Sequence, residues 1–311
     1  MSDAKLFRFS ASSVTELSGH SAKLEKDLQI LIEKDMETFL GVRFLASEYS
    51  TGKTHKGRID SLGLDENGCP VIVEYKRHSN ENVINQGLFY LDWLQDHQAE
   101  FKWLVMETFG KDVAETIEWS GTRLICIASD FNKYDEHAVQ QINRNIELMR
   151  YRFFDNDLLL LELINAQTAV AEKSTASASA VTVAGGKSKS HDKTHQENLA
   201  QASEPLLKLY ATVCDYIDGL GDEVQRKELK FYLAFKRIKN FVCLLVLPGK
   251  KDPRLQLYLK VNPADYTMEE GLTRNMSQKG HWGTGDLEVN IRNLDDFEKA
   301  KALIEDSYKG G

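Results

Sequence analysis

The residues best suited to chemistry in this sequence are two carboxylates and a lysine on one predicted β-hairpin. Asp60 precedes an Asn-Gly pair at positions 67–68, and Glu74 and Lys76 follow it. An Asn-Gly pair between two runs of β-forming residues is a strong hairpin signal. Strand residues two apart point to the same face, so we expect Glu74 and Lys76 to emerge side by side, with Asp60 on the neighbouring strand.

Buried carboxylates beside an amine suit a divalent cation, because charged groups are costly to bury without a partner. Asp60 and Glu74 can hold Mg²⁺, and the metal and the amine of Lys76 can together activate a water. The residue set therefore predicts hydrolysis of a phosphodiester. A solvated surface hairpin is the alternative, but the continuously apolar run Val71–Val73 indicates a central strand covered on both faces.

Asp60, Glu74 and Lys76 match the D…(D/E)-x-K signature, and this part of the chain resembles the PD-(D/E)XK nuclease superfamily. The local pattern resembles the NucS-type endonucleases in particular. The likeness covers about residues 22–94 and continues weakly to about residue 165. It implies a restriction-endonuclease-like core.

The resemblance also implies roles for the motif residues. Asp60 and Glu74 would hold Mg²⁺ or Mn²⁺, with the peptide carbonyl of Tyr75 as a further ligand. Lys76 would orient or deprotonate the attacking water and stabilise negative charge in the transition state. A neighbouring cation lowers the pKa of a lysine, whereas an arginine would stay charged. The first motif reads Ile59-Asp60 where the superfamily name has Pro-Asp.

Three further site residues come from the same resemblance. Glu25 lies in the first predicted helix, where the resembling endonucleases carry another acidic residue that would bind metal or position a water; Glu33 is a rival for this role. Gln86 and Tyr90 are four residues apart and therefore share one helical face. The resemblance places this pair beside the active site, where the amide would hydrogen-bond a phosphate or the catalytic lysine. A solvated helix face with a half-buried ring is the plainer interpretation.

Basic residues beside the motif are candidate phosphate contacts. Arg58 and Arg77 adjoin the motif residues, although strand alternation places them on the opposite face, and Lys53 lies in the preceding polar loop. The run 51–54 looks like the tail of a phosphate-binding loop, but Ser47 occupies the position of its first glycine. No nucleotide cofactor is therefore expected.

Hydrophobic periodicity predicts the elements that must position these residues. In the first half, predicted helices span 22–40, 82–98 and 135–145, and predicted strands span 43–49, 57–64, 69–76, 122–128, 146–154 and 158–164. This α-β-β-β-α-β order predicts a mixed sheet flanked by helices. In the second half, helices are predicted over 206–217 and 295–308, with strands over 231–235, 241–247, 255–261 and 287–291.

Length and composition divide the chain into segments. At 311 residues, about two domains are expected. The stretch 168–203 has almost no large apolar residue, which predicts a flexible tether. The predicted organisation is an N-terminal extension over 1–21, a nuclease-like domain over 22–166, a linker over 167–203 and a small α+β domain over 204–311.

The last of these domains has a resemblance of its own. Phe241–Cys243, Leu257–Lys260 and Gly280–Asp286 resemble a small α+β domain of unknown function at the C-termini of bacterial proteins, some of which carry the label "predicted transport protein". Nothing in the sequence supports transport. We expect this domain to recognise the substrate on its tether, or to bind a protein partner or a second copy of the chain.

Charge and cysteine content narrow the function classes. The net charge is −8, and residues 1–165 carry 18 Lys and Arg against 27 Asp and Glu, which argues against indiscriminate binding to nucleic acid. Four singly placed cysteines predict neither a disulfide framework nor a zinc site and favour a cytoplasmic location. The apolar stretches are too short for a signal peptide or a membrane span.

Together these observations predict a metal-dependent endonuclease, with DNA as the expected nucleic acid and the C-terminal domain as a tethered recognition module. The runner-up is a non-catalytic nucleic-acid-binding or regulatory interaction protein built on a nuclease fold. The acidic charge favours the runner-up, whereas the intact set of Asp60, Glu74 and Lys76 argues against it.

Overall fold

The predicted hairpin is confirmed and belongs to the larger sheet of the first half of the chain. The computed structural model describes residues 4–52, 56–77, 83–167, 193–280 and 283–310. The chain divides into two compact units, the first of which comprises Met1–Thr168 together with Arg237–Lys239. Its strands are β1 Leu6–Phe9, β2 Val14–Leu17, β3 Gly19–His20, β4 Val42–Ser50, β5 Arg58–Asp65, β6 Pro70–Lys76, β7 Arg123–Ala128, β8 Asn145–Phe154 and β9 Leu158–Gln167.

Seven of these strands form a mixed sheet in the order β3-β8-β7-β6-β5-β4, with β9 also paired to β8. The strands β6, β7 and β8 run parallel, and the other pairs are antiparallel. β6 lies between β5 and β7 and is buried from Pro70 to Tyr75. This confirms the prediction that the strand of Glu74 is central and covered on both faces.

Helices cover the two faces of this sheet. Leu28 and Ile32 pack in one core with Val73 of β6. Leu94 packs in a second core with Ile72 of the same strand. Because neighbouring strand residues point to opposite faces, the two helices that carry these leucines cover opposite sides of the hairpin. The helices of the unit are α1 Glu25–Lys34, α2 Met36–Leu40, α3 Val83–Asp96, α4 Gln98–Phe109, α5 Lys111–Glu115 and α6 Lys133–Gln140.

A glycine allows α3 to approach the sheet closely. A Cβ atom added at Gly87 would lie 2.5 Å from the methyl carbons of Leu124 in β7, which is closer than side-chain atoms approach one another. The absence of a side chain at Gly87 therefore allows α3 to pack closely against β6 and β7. This helix carries Gln86 and Tyr90, so the glycine also sets how near these two residues come to the hairpin.

The helices of this unit differ from the prediction in three places. The predicted helix over 135–145 ends early, since α6 is Lys133–Gln140 and Asn145 already belongs to β8. The predicted helix 22–40 is broken at Asp35, whose φ of −132° and ψ of 39° leave the helical region. The break lets α2 turn Met36 into the core that α1 also fills. The prediction lacks α4 and α5, because only Phe101 and Val105 of α4 are buried and they leave no continuous apolar stripe.

The predicted N-terminal extension, 1–21, is part of the first unit. Gly19 and His20 form β3 and pair with Phe154 and Phe153 of β8. The preceding strands β1 and β2 pair with each other as a separate two-stranded ribbon. Strands this short carry too few residues for periodicity to reveal them, which is why the prediction treated the segment as separate.

The second unit has the predicted α+β architecture. Its strands are β10 Gln225–Glu228, β11 Leu233–Lys236, β12 Asn240–Leu247, β13 Arg254–Leu259, β14 Thr273–Asn275 and β15 Leu287–Ile291, and its helices are α7 His195–Gln201, α8 Glu204–Asp218 and α9 Leu294–Gly310. The antiparallel sheet has the order β10-β11-β12-β13-β15-β14. Val213 of α8 and Ile304 of α9 share one core with Leu257 and Val289 of the sheet. No helix within the described ranges is long and apolar enough to cross a membrane.

The predicted linker, 167–203, extends too far. Residues 168–192 of this stretch lie outside the described part of the chain. Thr194 then starts α7 with a capping box, in which its hydroxyl accepts the backbone N–H of Glu197 and the Glu197 carboxylate accepts the backbone N–H of Thr194. Because Thr-x-x-Glu is itself a helix-start signal, the sequence contained the information for this correction.

Candidate active site

Asp60 and Glu74 lie side by side, and the carboxylate of each accepts a backbone N–H from the strand of the other. Oε1 of Glu74 accepts the backbone N–H of Asp60 at 3.2 Å, and Oδ2 of Asp60 accepts the backbone N–H of Tyr75 at 3.0 Å. The ladder between β5 and β6 ends at Ser61 and Val73, one residue before this pair. The two carboxylates therefore lie where the backbone pairing of β5 and β6 ends, and their side-chain hydrogen bonds link the two strands there.

Glu74 is the more deeply buried of the two. Its side chain is 0% exposed, and its second oxygen, Oε2, is buried without a hydrogen-bond partner among the described residues. Burial, and then repulsion from Asp60, raise the pKa of Glu74 to about 9. Burial also raises the pKa of Asp60, against the lowering effect of the hydrogen bond from Tyr75. A buried carboxylate oxygen without a donor is stabilised by a proton or by a cation.

Lys76 ends β6 and forms an ion pair with Glu25, the first residue of α1. Nζ of Lys76 donates to Oε1 of Glu25 at 3.1 Å, and Oε2 of Glu25 accepts the backbone N–H of Arg77 at 3.2 Å. Burial on its own would lower the pKa of the amine. The carboxylates of Glu25, Asp60 and Glu74 outweigh burial and hold its pKa above the ordinary value. The lowered pKa that the resemblance implies therefore requires a cation that neutralises these carboxylates.

Glu33, the alternative to Glu25 as the acidic site residue of α1, forms a hydrogen bond with the hairpin at Ser61. Its Oε1 accepts the hydroxyl of Ser61 at 2.7 Å, and the same hydroxyl lies 3.3 Å from the phenol oxygen of Tyr75. The side chain of Tyr75 is buried, and burial raises the pKa of its phenol. Glu33 therefore supports the two strands from the α1 side, while Glu25 is the carboxylate that reaches Lys76.

A buried glutamine that the sequence prediction missed fastens α1 to β5. Nε2 of Gln29 donates to the backbone carbonyl of Asp60 at 2.7 Å and to Oε1 of Glu33 at 2.8 Å. Only 3% of the residue is exposed. A long polar side chain directly after the apolar Leu28 in a helix stripe is the sequence signal that points to such a buried contact.

Tyr90 anchors the stretch of β5 that leads to Asp60. Its hydroxyl accepts the backbone N–H of Arg58 at 3.1 Å and the side-chain amide of Gln86 at 3.2 Å. Gly57 makes room for the ring, because a Cβ there would lie 2.4 Å from a ring carbon of Tyr90. The structure thus brings the predicted pair to the start of β5, where its hydrogen bonds position the strand.

The predicted phosphate contacts are less well defined. Nε of Arg58 lies 2.5 Å from Oε2 of Glu48, with a side chain that is 68% exposed. Arg77 is exposed, and its backbone N–H is engaged by Glu25. Lys53 lies outside the described residues. A phosphate at Arg58 would therefore have to compete with the carboxylate that holds it.

The candidate metal ligands of this site are two carboxylates, those of Asp60 and Glu74. Across the described ranges of the chain, no group of three or more His, Cys, Asp or Glu side chains is arranged to hold a metal. Mg²⁺ is commonly held by one or two carboxylates, with waters and substrate oxygens completing its shell. Asp60 and Glu74 fit that requirement, since Oε2 of Glu74 has no hydrogen-bond partner among the described residues and can bind a cation once the carboxyl ionises.

Comparison with known proteins gives partial matches. Residues 196–310 match a family model described as a domain of unknown function, DUF5655. A Haemophilus influenzae protein described as "Uncharacterized protein" is 28% identical to this chain, over 98% of this chain and 99% of the other. The family model spans most of the second unit, and the Haemophilus influenzae protein matches nearly the whole chain.

Two solved structures resemble part of the chain. One is a repair endonuclease from Pyrococcus abyssi, with 19% identity and a TM-score of 0.28 over 44% of this chain and 50% of that chain. The other is EndoMS in complex with double-stranded DNA, with 20% identity and a TM-score of 0.25 over 40% of this chain and 44% of that chain. The chain therefore spans about half the length of these structures, at scores that do not establish a shared fold.

Proposed function

We propose that this protein is a metal-dependent nuclease that cleaves phosphodiester bonds within DNA. The observation that supports this proposal is the pairing of Asp60 with Glu74 where β5 and β6 separate. One carboxylate oxygen of this pair, Oε2 of Glu74, is buried without a hydrogen-bond partner among the described residues. Such an oxygen is stabilised by a bound cation, and Lys76 follows two residues later on the same strand.

The residues of the site would divide the work. Asp60 and Glu74 would bind Mg²⁺ or Mn²⁺, with the carbonyl of Tyr75 as a further ligand. When bound, the cation polarises the phosphate and lowers the pKa of water. Lys76, held by Glu25, would place positive charge where the transition state becomes negative. Its raised pKa keeps the amine charged in the metal-free protein, so proton transfer by Lys76 would require neutralised carboxylates.

The surrounding residues would keep this geometry fixed. The reciprocal hydrogen bonds of Asp60 and Glu74 hold the two strands, and Gln29 holds the carbonyl of Asp60 from α1. Tyr90 fixes the start of β5 through the N–H of Arg58. The second unit would recognise the DNA, so that the hydrolytic residues of the first unit act on a restricted set of targets.

A cleavage assay with matched variants tests the proposal. Full-length protein is incubated with single-stranded, duplex, forked and closed circular DNA in Mg²⁺ or Mn²⁺, and cutting of the circle separates internal cleavage from trimming of ends. Wild type and Glu107→Gln, which changes an exposed carboxylate of α4, should cleave, while Glu74→Gln should not. Binding by wild type without cleavage of any substrate would favour the non-catalytic alternative.

A further inference from the structure

Glu48 has a backbone conformation that residues other than glycine rarely adopt. Its φ is 52°, in the left-handed region, although the residue lies within β4. In the register of β4 and β5, the residues on either side of Glu48 pair with those on either side of Asp60. An unusual backbone conformation therefore lies directly beside a proposed metal ligand.

The left-handed conformation turns β4 over. Side chains two positions apart on a regular strand share one face. Oγ of Ser47 instead accepts a hydrogen bond from Gln29 of α1 at 3.3 Å, whereas the ring of Tyr49 lies 5.7 Å from the ring of Trp93 in α3. Because α1 and α3 cover opposite faces of the sheet, the strand reverses at Glu48. A glycine would adopt this conformation with less strain, so the carboxylate is present at a conformational cost.

The carboxylate of Glu48 lies between two cations. Nζ of Lys26 in α1 donates to Oε1 at 2.7 Å, and Nε of Arg58 in β5 lies 2.5 Å from Oε2. The hydrogen bond from Lys26 is the main cause that holds the pKa of Glu48 below its ordinary value. One anion with two oxygens thus occupies the space between an amine and a guanidinium.

The two cations keep donors for another anion. Oε2 of Glu48 is buried and has no hydrogen-bond partner among the described residues, so the nearby N–H of Arg58 is not aimed at it. The side chains of Lys26 and Arg58 are 46% and 68% exposed. Exposed ion pairs contribute little free energy. A second anion can therefore replace the carboxylate at small cost.

A phosphate of a nucleic-acid backbone suits this place. Its two unesterified oxygens share one negative charge, as the two oxygens of a carboxylate do. A guanidinium binds phosphate through paired N–H donors, and a lysine binds it as a point charge. The first unit also depends on local cations of this kind, because residues 1–165 carry 18 Lys and Arg against 27 Asp and Glu and their overall field does not attract a polyanion.

Lys26 is connected to the candidate active site. It follows Glu25, the residue that holds the amine of Lys76. The amine of Lys26 also donates to Oε1 of Gln29 at 3.1 Å, and Nε2 of Gln29 donates to the backbone carbonyl of Asp60 at 2.7 Å. One amide side chain therefore separates this amine from the strand of Asp60. A phosphate bound there would adjoin a phosphate held at the carboxylate pair.

We propose that Lys26 and Arg58 bind one backbone phosphate of the nucleic acid, next to the phosphate that is cleaved, and that Glu48 fills this site as a competing anion in the free protein. Because a bound backbone must first displace the carboxylate, Glu48 weakens binding to DNA that makes few other contacts. This inference rests on the proposed nuclease function and adds to it a substrate contact and a residue that determines specificity.

Binding of DNA in EDTA tests this site separately from cleavage. Fluorescence anisotropy of the full-length protein with a short labelled duplex gives the affinity over a range of salt concentrations. Glu48→Gln should tighten binding by up to about fivefold, the range for an exposed ion pair. Glu107→Gln removes the same charge from an exposed position of α4 and should not tighten it. The Lys26→Gln, Arg58→Gln double variant should bind more weakly, with a salt slope smaller by about 0.9, the value for one phosphate.

Matched variants separate the site from overall charge and from misfolding. Lys102→Gln removes an exposed cation of α4 and should leave the salt slope unchanged. Arg58→Lys keeps the cation and should keep the slope, whereas Arg58→Gln should lower it. Glu48→Gln introduced into the double variant should no longer tighten binding, because the cations that it frees are absent.

The outcomes distinguish this inference from the proposed function. Equal tightening by Glu48→Gln and Glu107→Gln would reduce the effect to net charge and overturn the inference. A slope smaller by about 1.8 in the double variant would indicate two separate phosphates and overturn the shared site. Unchanged affinity of the double variant, while wild type cleaves DNA, would remove the site and leave the nuclease proposal standing. Binding with the expected slopes but without cleavage of any substrate would keep the phosphate site and contradict the proposed hydrolysis.

Discussion

The amine of Lys76 lies 3.1 Å from Oε1 of Glu25, although 51 positions separate the two residues. The other oxygen of the same carboxylate accepts the backbone N–H of Arg77. The start of α1 is thereby tied to the end of β6 through both a side chain and the main chain. An acidic residue in the first turn is also favoured by the helix dipole. Glu25 therefore begins α1, binds the backbone after β6 and holds the amine of Lys76 in place.

Glu25→Gln should lower the pKa of Lys76, because Glu25 supplies the strongest of the interactions that raise it. If the amine takes a proton during the reaction, the pH–rate profile should move to lower pH. Glu33→Gln removes a carboxylate of the same helix that is bonded to Ser61, and it should leave the profile in place. NMR of ¹³C-labelled lysine reports the pKa directly. A pKa that falls without any movement of the profile would assign Lys76 a purely electrostatic role.

Lys76→Met should bind Mn²⁺ and DNA but turn over roughly 10²–10⁴-fold more slowly, since it keeps most of the stem and removes the charge. Lys76→Arg should not restore the rate if the amine transfers a proton, because a guanidinium stays charged at working pH. Steady-state cleavage and calorimetric Mn²⁺ titration of both variants provide the measurement. Substantial activity of the arginine variant would contradict proton transfer by Lys76.

Metal binding should release a proton from the pair of Asp60 and Glu74. The pKa of Glu74 is raised to about 9 in the metal-free protein, so its carboxyl is protonated at neutral pH and must ionise to bind a cation. Mn²⁺ affinity should therefore increase between pH 6 and pH 8.5, by up to about tenfold per pH unit. Calorimetry in buffers of different ionisation enthalpy counts the protons. Glu74→Gln should bind Mn²⁺ weakly and release none, and proton release equal to that of wild type would contradict the assignment.

The metal-free protein should lose stability as the pH rises towards 9. A carboxyl whose pKa is higher in the folded than in the unfolded chain holds more protons when folded, so its contribution is complete below about pH 4.5 and declines up to about pH 9. Urea unfolding in EDTA at pH 6, 7.5 and 9 measures this slope. Glu74→Gln should flatten it and raise the free energy of unfolding at pH 9 by up to a few kcal/mol. The exposed control Glu107→Gln should keep the wild-type slope.

A fragment that ends at residue 167 should retain metal-dependent cleavage, because every described site residue lies between Glu25 and Tyr90 and one of the two cores of the unit is built wholly from residues before 168. It should lose affinity or selectivity for the preferred DNA if the second unit recognises the substrate. Cleavage by the fragment and by the full chain is compared across salt concentrations. A folded but inactive fragment would mean that the second unit completes the site.

Local sequence signals were sufficient for the hairpin and for the placement of its charges. The Asn-Gly turn and the apolar run Val71–Val73 predicted a central strand that carries Glu74, and the structure has it. The mixed sheet and the α+β second unit were also predictable, because both follow from runs of one periodicity. The roles of the site residues stay predictions.

Other features of the structure cannot be predicted from hydrophobic periodicity. The ribbon strands and β3 are too short to show a period, and the buried amide of Gln29 depends on a backbone carbonyl 31 positions away. The raised pKa of Lys76 depends on three carboxylates from α1, β5 and β6 that meet only in the folded chain. Tertiary contacts of this kind leave no local signal in the sequence other than an unexpected polar residue within a stripe of apolar residues.

The hairpin of β5 and β6 carries Asp60, Glu74 and Lys76 within 17 consecutive residues. The three candidate catalytic residues are therefore inherited as one short, contiguous block of coding sequence. A recombination event that joins a new module after Thr168 leaves that block untouched. Under the proposed function, exchange of the downstream module alone would give such a chain a new target, and the hairpin with α1 and α3 would be the smallest piece to graft onto another scaffold.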